Sequence, residues 1–379
     1  MIEKILVFLF ISNFFFAQEE EACFFLKDKP NAPAFLSDPL SELTQRSLDK
    51  PHVQGIVQDV PIDKPYVNQM TMPPGITVLV KSKWLNYLHV RGTQVDIAAL
   101  SNLSFVDYVQ YINHVLNTKL NSQNKTVLLE GKLAMNTSKK ACNYGNSETQ
   151  IQMLKGHILH QQNYTDAGKI MAIFDAGFPS VNTTASFANL RYLNLILRGY
   201  DFVTDSNYFY IAHLDDTSVL SIIGTNTTNL IKITSDVVIE KVIGSSNWVE
   251  VTEEADRLGV DVINFFLDNF DSDTPNHSYE CAHMNSKTSV ASRAVDTTFL
   301  KGTRCVISIG KRSLMLESHI STPADAKNTV TVRVLDSSRI LSSFTRIGTT
   351  ADNHIKSDLM AMGTSFFNCD MFDNVLKII

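Results

Sequence analysis

Helix-spaced residues, a glycine and an apolar run follow one another twice in the second half of this chain of 379 residues. The two units are residues 248–267, with Gly259 at the junction, and residues 288–309, with Gly302 at the junction. A glycine suits the position that ends a helix because it adopts a positive φ without a steric penalty. A further apolar run, residues 170–174, precedes both units. This alternation predicts an α/β domain with a mostly parallel central sheet.

Asp175 directly follows the first of these apolar runs and precedes an Ala-Gly turn. In parallel α/β proteins the carboxyl ends of the strands display the functional groups. An aspartate at this position also serves turns and helix caps, so the residue by itself is consistent with both interpretations. Two later runs, residues 329–334 and 339–344, are predicted to form shorter strands of the same domain.

The charge balance argues against nucleic acid as a partner. The net charge is −6 and the isoelectric point is about 5.9, and no lysine- or arginine-rich run is present. The first 17 residues have the pattern of a signal peptide, with Lys4, an apolar run over residues 5–16 and a small residue, Ala17, before the expected cleavage point. That run is too short for a membrane span. We therefore expect a secreted or periplasmic protein.

The cysteines give no indication of a metal site. The five cysteines are widely spaced and form neither a Cys-x-x-Cys pair nor a Cys/His pattern with zinc-ligand spacing. No motif for a nucleotide or another cofactor is present, so we expect neither a metal nor a cofactor.

The composition divides the rest of the chain into three parts. Residues 18–116 are predicted to form a small α+β domain, with a helix over residues 39–48 and a β-rich segment over residues 76–88. Residues 117–143 are polar and rich in Asn, Ser and Lys, which indicates a linker. Residues 144–379 are predicted to form the α/β domain.

Seven short segments in the second domain, in this order, resemble the subtilisin-like serine proteases, or subtilases, above all the exported members from Bacteroidetes-type bacteria. These segments begin at Asp175, Thr217, Asn247, Ala291, His319, Ser342 and Ile355. Residues 24–110 are similar to the propeptide region of the same proteins. The resemblance implies a subtilisin-like three-layer α/β fold with a mostly parallel sheet, preceded by a small α+β propeptide-like region. It also implies endopeptidase activity on protein or peptide substrates.

The chemistry of the family uses a serine nucleophile, a histidine that takes its proton and an aspartate that orients the histidine, and subtilisin itself is an established example of this triad. An asparagine amide stabilises the oxyanion. By resemblance Asp175 is the aspartate, and His213 and Ser365 are the candidates for histidine and serine. Lys311 occupies the oxyanion position.

Three of these four positions depart from the family pattern. Asp215 stands where the family has its histidine, and His213 lies two residues earlier. Lys311 replaces the asparagine, and Ser365 follows Met360-Ala-Met without the intervening loop of the family. The cleft segment 264–268 carries two phenylalanines and an aspartate where the family has small residues.

These departures lead us to expect a subtilase that is impaired or inactive, with a catalytic domain that ends before the family's serine-bearing helix. The alternative is a pseudoprotease, or a decayed gene product, that keeps the scaffold for binding. An unrelated α/β hydrolase or nucleotide binder is disfavoured, because the chain has no Gly-x-Ser-x-Gly elbow and no phosphate-binding loop. The apolar tail, residues 372–379, is the one segment we expect to fill the place of the missing helix.

Overall fold

The computed structural model describes residues 19–50, 56–117, 144, 147–164, 166–210, 216–224, 236–241, 245–267, 275–310, 320–346, 348–364, 366–369 and 375–378. The strands within these residues are β1 Glu19–Leu26, β2 Thr77–Ser82, β3 Tyr87–Thr93, β4 Val106–Tyr111, β5 Ile170–Asp175, β6 Ile196–Asp201, β7 Asp236–Lys241, β8 Val262–Phe265, β9 Arg304–Ser308, β10 Val330–Leu335, β11 Leu359–Met362, β12 Phe366–Cys369 and β13 Val375–Ile378. The helices are α1 Ala32–Ser37, α2 Gln45–Leu48, α3 Lys64–Thr71, α4 Gln94–Leu100, α5 Glu148–Met153, α6 Gly156–Gln161, α7 Ala188–Tyr192, α8 Asp216–Gly224, α9 Ser245–Arg257 and α10 Val290–Leu300.

The N-terminal sheet consists of β1 to β4 in the order β2-β3-β1-β4, and its neighbouring strands are antiparallel. Side chains alternate between the two faces of such a sheet. On one face Phe24 and Leu88 pack with Met70 of α3 and Ile97 of α4. The residues of the other face, which include Phe25, belong to the core of the second domain. The N-terminal domain is therefore apolar on both faces and needs the second domain to cover one of them.

The second domain is built on a seven-stranded sheet in the order β11-β10-β9-β8-β5-β7-β6. Every neighbouring pair in this sheet is parallel. Parallel strands require crossover connections, and α7, α8, α9 and α10 lie in the four connections that lead from β5 to β9. The predicted α/β class and the mostly parallel sheet are confirmed.

Helices cover both faces of this sheet. On one face Trp248 of α9 and Ala291 of α10 share a core with Phe174 of β5. On the opposite face Leu220 of α8 and Leu190 of α7 pack with Ile173 of β5. The three-layer arrangement expected from the resemblance is thus present, and the N-terminal sheet lies outside α9 and α10 as a further layer.

The two glycines that mark the helix–strand junctions have the predicted backbone conformation. Gly259 follows α9 with φ +77, and Gly302 follows α10 with φ +79. Each lies in the left-handed region, which a residue with a side chain enters only at a cost. In α10, Ala291 and Val295 are fully buried, whereas Phe299 is 36% exposed.

Two predicted elements are wrong. Residues 339–344 form no strand, because Asp336 Oδ1 accepts hydrogen bonds from the amides of Ser338 and Ile340 and closes a turn there. Residues 39–48 form no continuous helix. They divide into a 3₁₀ turn and α2, which begins after Thr44, whose side chain accepts a hydrogen bond from the amide of Ser47.

The C-terminal strands β12 and β13 pair with each other in antiparallel register, and β12 contacts α8. Strand β13 lies in the tail, residues 372–379, that we expected to fill the place of the missing helix, and it pairs with the strand that contacts α8. Among the helices that the structure describes, none is long and apolar enough to cross a membrane.

Candidate functional site

Asp175 is the last residue of β5, a strand buried on both faces. Its side chain is 2% exposed, and Oδ1 accepts a hydrogen bond of 2.9 Å from the backbone amide of Ala176. The strand forms because the apolar residues before Asp175 fit the centre of a parallel sheet, where both faces are covered. The sequence-predicted aspartate is therefore held at a fixed position at the end of a central strand.

The order of the strands puts Asp175 beside the switch point of the sheet. From β5 the chain continues to β6 and β7 on one side of β5, and then to β8 and the later strands on the other side. In open α/β sheets, ligands bind in the crevice that this reversal creates at the carboxyl ends of the strands. The position of Asp175 is thus the one at which this architecture places a functional group.

The face of the sheet toward which Asp175 points follows from the alternation along β5. Ile173 packs with Leu220 of α8, while the ring of Phe174 lies 6.1 Å from that of Trp248 in α9, centroid to centroid. Since successive side chains of a strand point to opposite faces, Asp175 shares the α8 face with Ile173. Any partner of its carboxylate belongs to that side of the sheet.

His213, Ser365 and Lys311 lie outside the residues that the structure describes. Their nearest described neighbours along the chain are placed. Helix α8 begins at Asp216, and β12 begins at Phe366 and contacts α8. The chain segments next to His213 and Ser365 therefore lie on the same side of the sheet as Asp175.

The turn before Lys311 is also defined. Gly310 has φ +88, in the region that favours glycine, and its amide donates a hydrogen bond of 3.2 Å to Ser308 Oγ. This turn follows β9, which lies two strands from β5, or about 10 Å at the spacing of neighbouring strands. The oxyanion position assigned from the resemblance thus follows a strand at the same edge of the sheet as Asp175.

Phe266 directly follows β8, the strand next to β5. In the register of β5 and β8, Phe174 pairs with Phe265, so Asp175 and Phe266 each follow a member of the last pair. Phe265 is buried against Trp248, whereas Phe266 is 40% exposed. A large apolar side chain therefore stands in the cleft segment where the resemblance implies a wall of small residues.

Sequence reasoning missed a buried carboxylate, Asp325, between β9 and β10. Its side chain is fully buried and accepts hydrogen bonds from the amide of Ser286, at 2.7 Å, and from Ser292 Oγ. Burial raises the pKa of the Asp325 carboxyl to about 7, although these donors act in the opposite direction. The signal in the sequence was an aspartate between two alanines, in a segment whose other residues are small or apolar.

A cavity of about 850 Å³ lies between the N-terminal sheet and the second domain. Glu21, His89 and Arg91 of the N-terminal sheet line one side, and Glu250 of α9 and Phe202, directly after β6, line the other. Arg91 Nη2 lies 2.6 Å from Glu21 Oε1, and His89 Nε2 lies 3.1 Å from Glu21 Oε2, which holds the pKa of Glu21 at about 2. Burial and the nearby Glu253 raise the pKa of Glu250 to about 7.

The cavity is bounded by charged groups of both signs. Within the residues that the structure describes, no group of three or more His, Cys, Asp or Glu side chains is arranged to hold a metal ion. The N-terminal sheet forms one wall of this space, so the shape of the cavity depends on both domains.

Two family models match segments of this chain, one in the N-terminal domain and one in the second domain. Residues 21–127 match the family model described as the peptidase S8 propeptide domain of Bacteroidota, and residues 231–377 match the model of the subtilase family. No curated protein matches significantly.

Solved structures give the same result for the fold. The epidermin leader peptide processing serine protease of Staphylococcus aureus matches with a TM-score of 0.52 and 14% identity, over 92% of this chain and 75% of that one. A serine-to-alanine variant of the same protease matches with a TM-score of 0.52 and 13% identity, over 92% and 76%. At this identity the likeness concerns the fold.

Proposed function

This chain belongs to the subtilase family, and on that premise we propose that it carries a serine-endopeptidase scaffold for protein substrates in which the catalytic triad is impaired. The observation that carries the proposal is the placement of Asp175. It is buried at the carboxyl end of a central strand, beside the switch point, and faces the layer of α8. This is the geometry that an aspartate needs to orient a histidine located at the start of that helix.

In the proposed arrangement Asp175 orients His213, and Ser365 is the nucleophile. The impairment follows from the sequence around these residues. His213 lies two positions before Asp215, which is a displacement of about 6–7 Å along an extended segment. A proton acceptor must come within about 2.6–3.2 Å of the serine hydroxyl, so a displacement of this size interrupts the proton transfer.

Lys311 weakens the stabilisation of the oxyanion. The family uses an amide, which is a rigid and neutral donor, to stabilise the oxyanion. A lysine ammonium is flexible and strongly hydrated, so it is a poor preorganised donor. Loss of the oxyanion donor by itself typically lowers the rate by about 10²–10³-fold. Both defects act on the formation of the tetrahedral intermediate, and together they leave little activity.

A second candidate function is binding without catalysis. The observation that favours it is Phe266, which is 40% exposed beside Asp175 at the carboxyl edge of the sheet. An exposed phenyl ring next to an impaired site is suited to hold an apolar side chain of a bound polypeptide. In this alternative the crevice recognises a protein segment and releases it uncut.

We also propose that the protein is exported. Two observations support this: the signal-like pattern of residues 1–17 and the match of residues 21–127 to a Bacteroidota subtilase propeptide. Cell fractionation with an antibody against the second domain tests this proposal. Recovery in the periplasm or the medium supports it, and recovery with the cytoplasmic fraction contradicts it.

The test of the catalytic proposal is labelling with a fluorophosphonate probe, which reacts with activated serines. We compare the folded wild-type protein with Ser365→Ala and Asp175→Asn, and use circular dichroism to verify that all three are folded. We expect the same background signal from all three. Labelling that disappears in Ser365→Ala and falls about 10⁴-fold in Asp175→Asn would contradict the impairment and establish an active protease.

A further inference from the structure

Three glutamates lie near one another on α9, and neighbouring elements satisfy two of them. Glu253 accepts a hydrogen bond of 2.6 Å from Ser82 Oγ of the N-terminal domain. Glu254 forms an ion pair with Arg198 of β6. Glu250 lines the cavity between the two domains, and no described residue donates a hydrogen bond to it. Of the three carboxyl groups, Glu250 is therefore the one with room for a further partner.

The surroundings of Glu250 disfavour its charge. Burial and the neighbouring Glu253 raise the pKa of Glu250 to about 7. Asp205 and Glu254 also repel it, whereas Lys81 of β2 attracts it from an exposed position. These are the charged groups that act on Glu250 from α9, from β2 and from the segment after β6. A cation bound beside Glu250 would offset the repulsion and return the carboxyl to its charged form.

The opposite wall of the cavity contains a second acceptor without a partner, Nδ1 of His89. The side chain of His89 is 8% exposed, and its Nδ1 has no hydrogen-bond partner. Its Nε2 lies 3.1 Å from Glu21 Oε2, which favours the proton on Nε2 and leaves the lone pair on Nδ1. A buried acceptor without a partner is costly, and an N–H group of a ligand in the cavity would satisfy it.

Both guanidinium groups that line the cavity are already paired. Arg91 Nη2 lies 2.6 Å from Glu21 Oε1, and Arg198 pairs with Glu254. Burial and a neighbouring imidazole lower the pKa of His114, which also lines the cavity, to about 4, so this ring is uncharged at neutral pH. An anionic ligand would have to displace an existing partner from either guanidinium. The walls therefore favour a ligand that donates N–H groups and carries positive charge.

The size and the remaining walls of the cavity fit an organic molecule. Tyr111, Tyr200, Phe202 and Tyr279 supply aromatic surface for the carbon part of a ligand. The volume of about 850 Å³ lies within the range of sites for small molecules, roughly 300–1,000 Å³. A bare metal ion is disfavoured, because the described residues form no group of three or more side chains suited to hold one.

We propose that this cavity binds a small organic cation, whose ammonium or guanidinium group pairs with Glu250 and which donates a second N–H to His89 Nδ1. A guanidinium suits the site best, because it is planar, always charged and carries five N–H donors. The cavity lies against α9, whereas Asp175 faces α8 on the other side of the seven-stranded sheet. The inference therefore does not rest on the proposed function.

The experiment is isothermal titration calorimetry of the full chain at pH 7 with three compounds. Agmatine carries a guanidinium and an ammonium, butylguanidine lacks the ammonium, and butylurea is an uncharged copy of butylguanidine. We expect a Kd of about 50 µM for agmatine. Butylguanidine should bind about 5-fold more weakly, and butylurea at least about 100-fold more weakly than agmatine, because it cannot pair with a carboxylate.

A second readout of the same titrations is the release of protons. With a pKa of about 7, Glu250 is half protonated at pH 7 before the ligand binds. Binding of a cation ionises it, so we expect release of about half a proton per agmatine. Titrations in two buffers with different enthalpies of ionisation measure this number.

Variants on the two walls are compared with a matched control. Glu250→Gln keeps the shape of the side chain and removes the repulsion, so it is expected to fold; agmatine should bind about 50-fold more weakly, without proton release. His89→Phe should weaken agmatine about 5-fold and leave butylguanidine unchanged. Glu148→Gln, on the exposed surface of α5, removes the same charge away from the cavity and should bind as the wild type does. Circular dichroism verifies that each variant is folded.

Three results would overturn the proposal. The first is the absence of binding heat from agmatine up to about 10 mM. The second is equal affinity for butylguanidine and butylurea, since the site would then not recognise the charge. The third is equal affinity of Glu250→Gln and Glu148→Gln for agmatine, because Glu250 would then not be the partner of the cation.

Discussion

Buried carboxylates have different partners at the amino and carboxyl edges of the seven-stranded sheet. At the amino edge Asp59 and Asp256 each form an ion pair with a lysine, Lys301 and Lys50. At the carboxyl edge Asp175 accepts a hydrogen bond from a backbone amide, and Asp325 accepts from an amide and a serine hydroxyl. Burial raises the pKa of Asp325 to about 7, and it raises the pKa of Asp256 as well, although the Lys50 ammonium acts in the opposite direction. The ion pairs of the amino edge join the two domains, whereas the hydrogen bonds of the carboxyl edge lie within the second domain.

Helix α10 makes this contrast within a single element. Its C-terminal end leads to Lys301, which pairs with Asp59, and its N-terminal turn contains Ser292, the partner of Asp325. The two ends of the helix are therefore stabilised by different interactions, and substitutions at the two ends separate them.

The largest effect is expected from breaking the ion pair between Asp59 and Lys301 at the amino edge. Lys301→Met removes the cation that pairs with Asp59. Asp59 stays buried and still accepts a hydrogen bond from Trp84 Nε1. We expect the free energy of unfolding to fall by about 3–5 kcal/mol, because an uncompensated buried charge is costly. Urea denaturation of the full chain measures it. The double variant Lys301→Met/Asp59→Leu serves as the control and should recover most of the loss, since an apolar pair can replace a buried ion pair. A single variant within about 1 kcal/mol of wild type would contradict the role of this pair.

The second effect concerns the carboxyl edge and depends on pH. The pKa of Asp325 is raised from 3.8 to about 7, so the folded state holds this proton where the unfolded state has lost it. The contribution to stability is complete below pH 3.8 and is lost as the pH rises through about 7. Between pH 5 and pH 8 we expect the wild type to lose roughly 2–3 kcal/mol relative to Asp325→Asn.

Urea denaturation of both proteins at the two pH values measures the difference between them. The comparison with Asp325→Asn cancels the groups common to both proteins, Glu250 among them. A stability difference between wild type and Asp325→Asn that is the same at both pH values would mean that Asp325 is already ionised in the folded protein at pH 5.

The smallest effect is expected where Arg46 of the N-terminal domain donates hydrogen bonds to the carbonyls of Gly259 and Gly168 in the second domain. Gly259 and Gly168 both have a positive φ, +77 and +76. An added Cβ at Gly259 would lie 2.6 Å from Cγ of Arg46, whereas one at Gly168 meets no atom within 4 Å. We expect Gly168→Ala to cost about 1 kcal/mol and Gly259→Ala about 2 kcal/mol, the difference being the displaced Arg46. Thermal denaturation of both variants measures it, and equal losses would show that Arg46 moves aside freely.

Much of the fold could be predicted because its signals are local. The apolar run over residues 170–174 became β5, and the helix–glycine–strand units became α9 with β8 and α10 with β9. Predicted elements failed where a polar side chain closed a turn within an apolar stretch. Residues 339–344 have the composition of a strand, but the turn closed by the Asp336 side chain interrupts the extended backbone there.

The candidate site could be predicted less completely. Asp175 was found because a single carboxylate follows a buried strand. His213, Ser365 and Lys311 remain predictions, since they lie outside the residues that the structure describes. Asp325 gave no comparable signal, because its partners Ser286 and Ser292 precede it by 39 and 33 residues.

By itself the sequence determined the class of the fold, the place of Asp175 and the family, because these depend on periodicity, on glycine and on short motifs along the chain. The tertiary structure decided which charges neutralise each other. Asp59 and Lys301 are 242 residues apart, and Lys50 and Asp256 are 206 apart. No local pattern encodes such a pair, because the burial that makes the pairing necessary exists only once the two domains have come together.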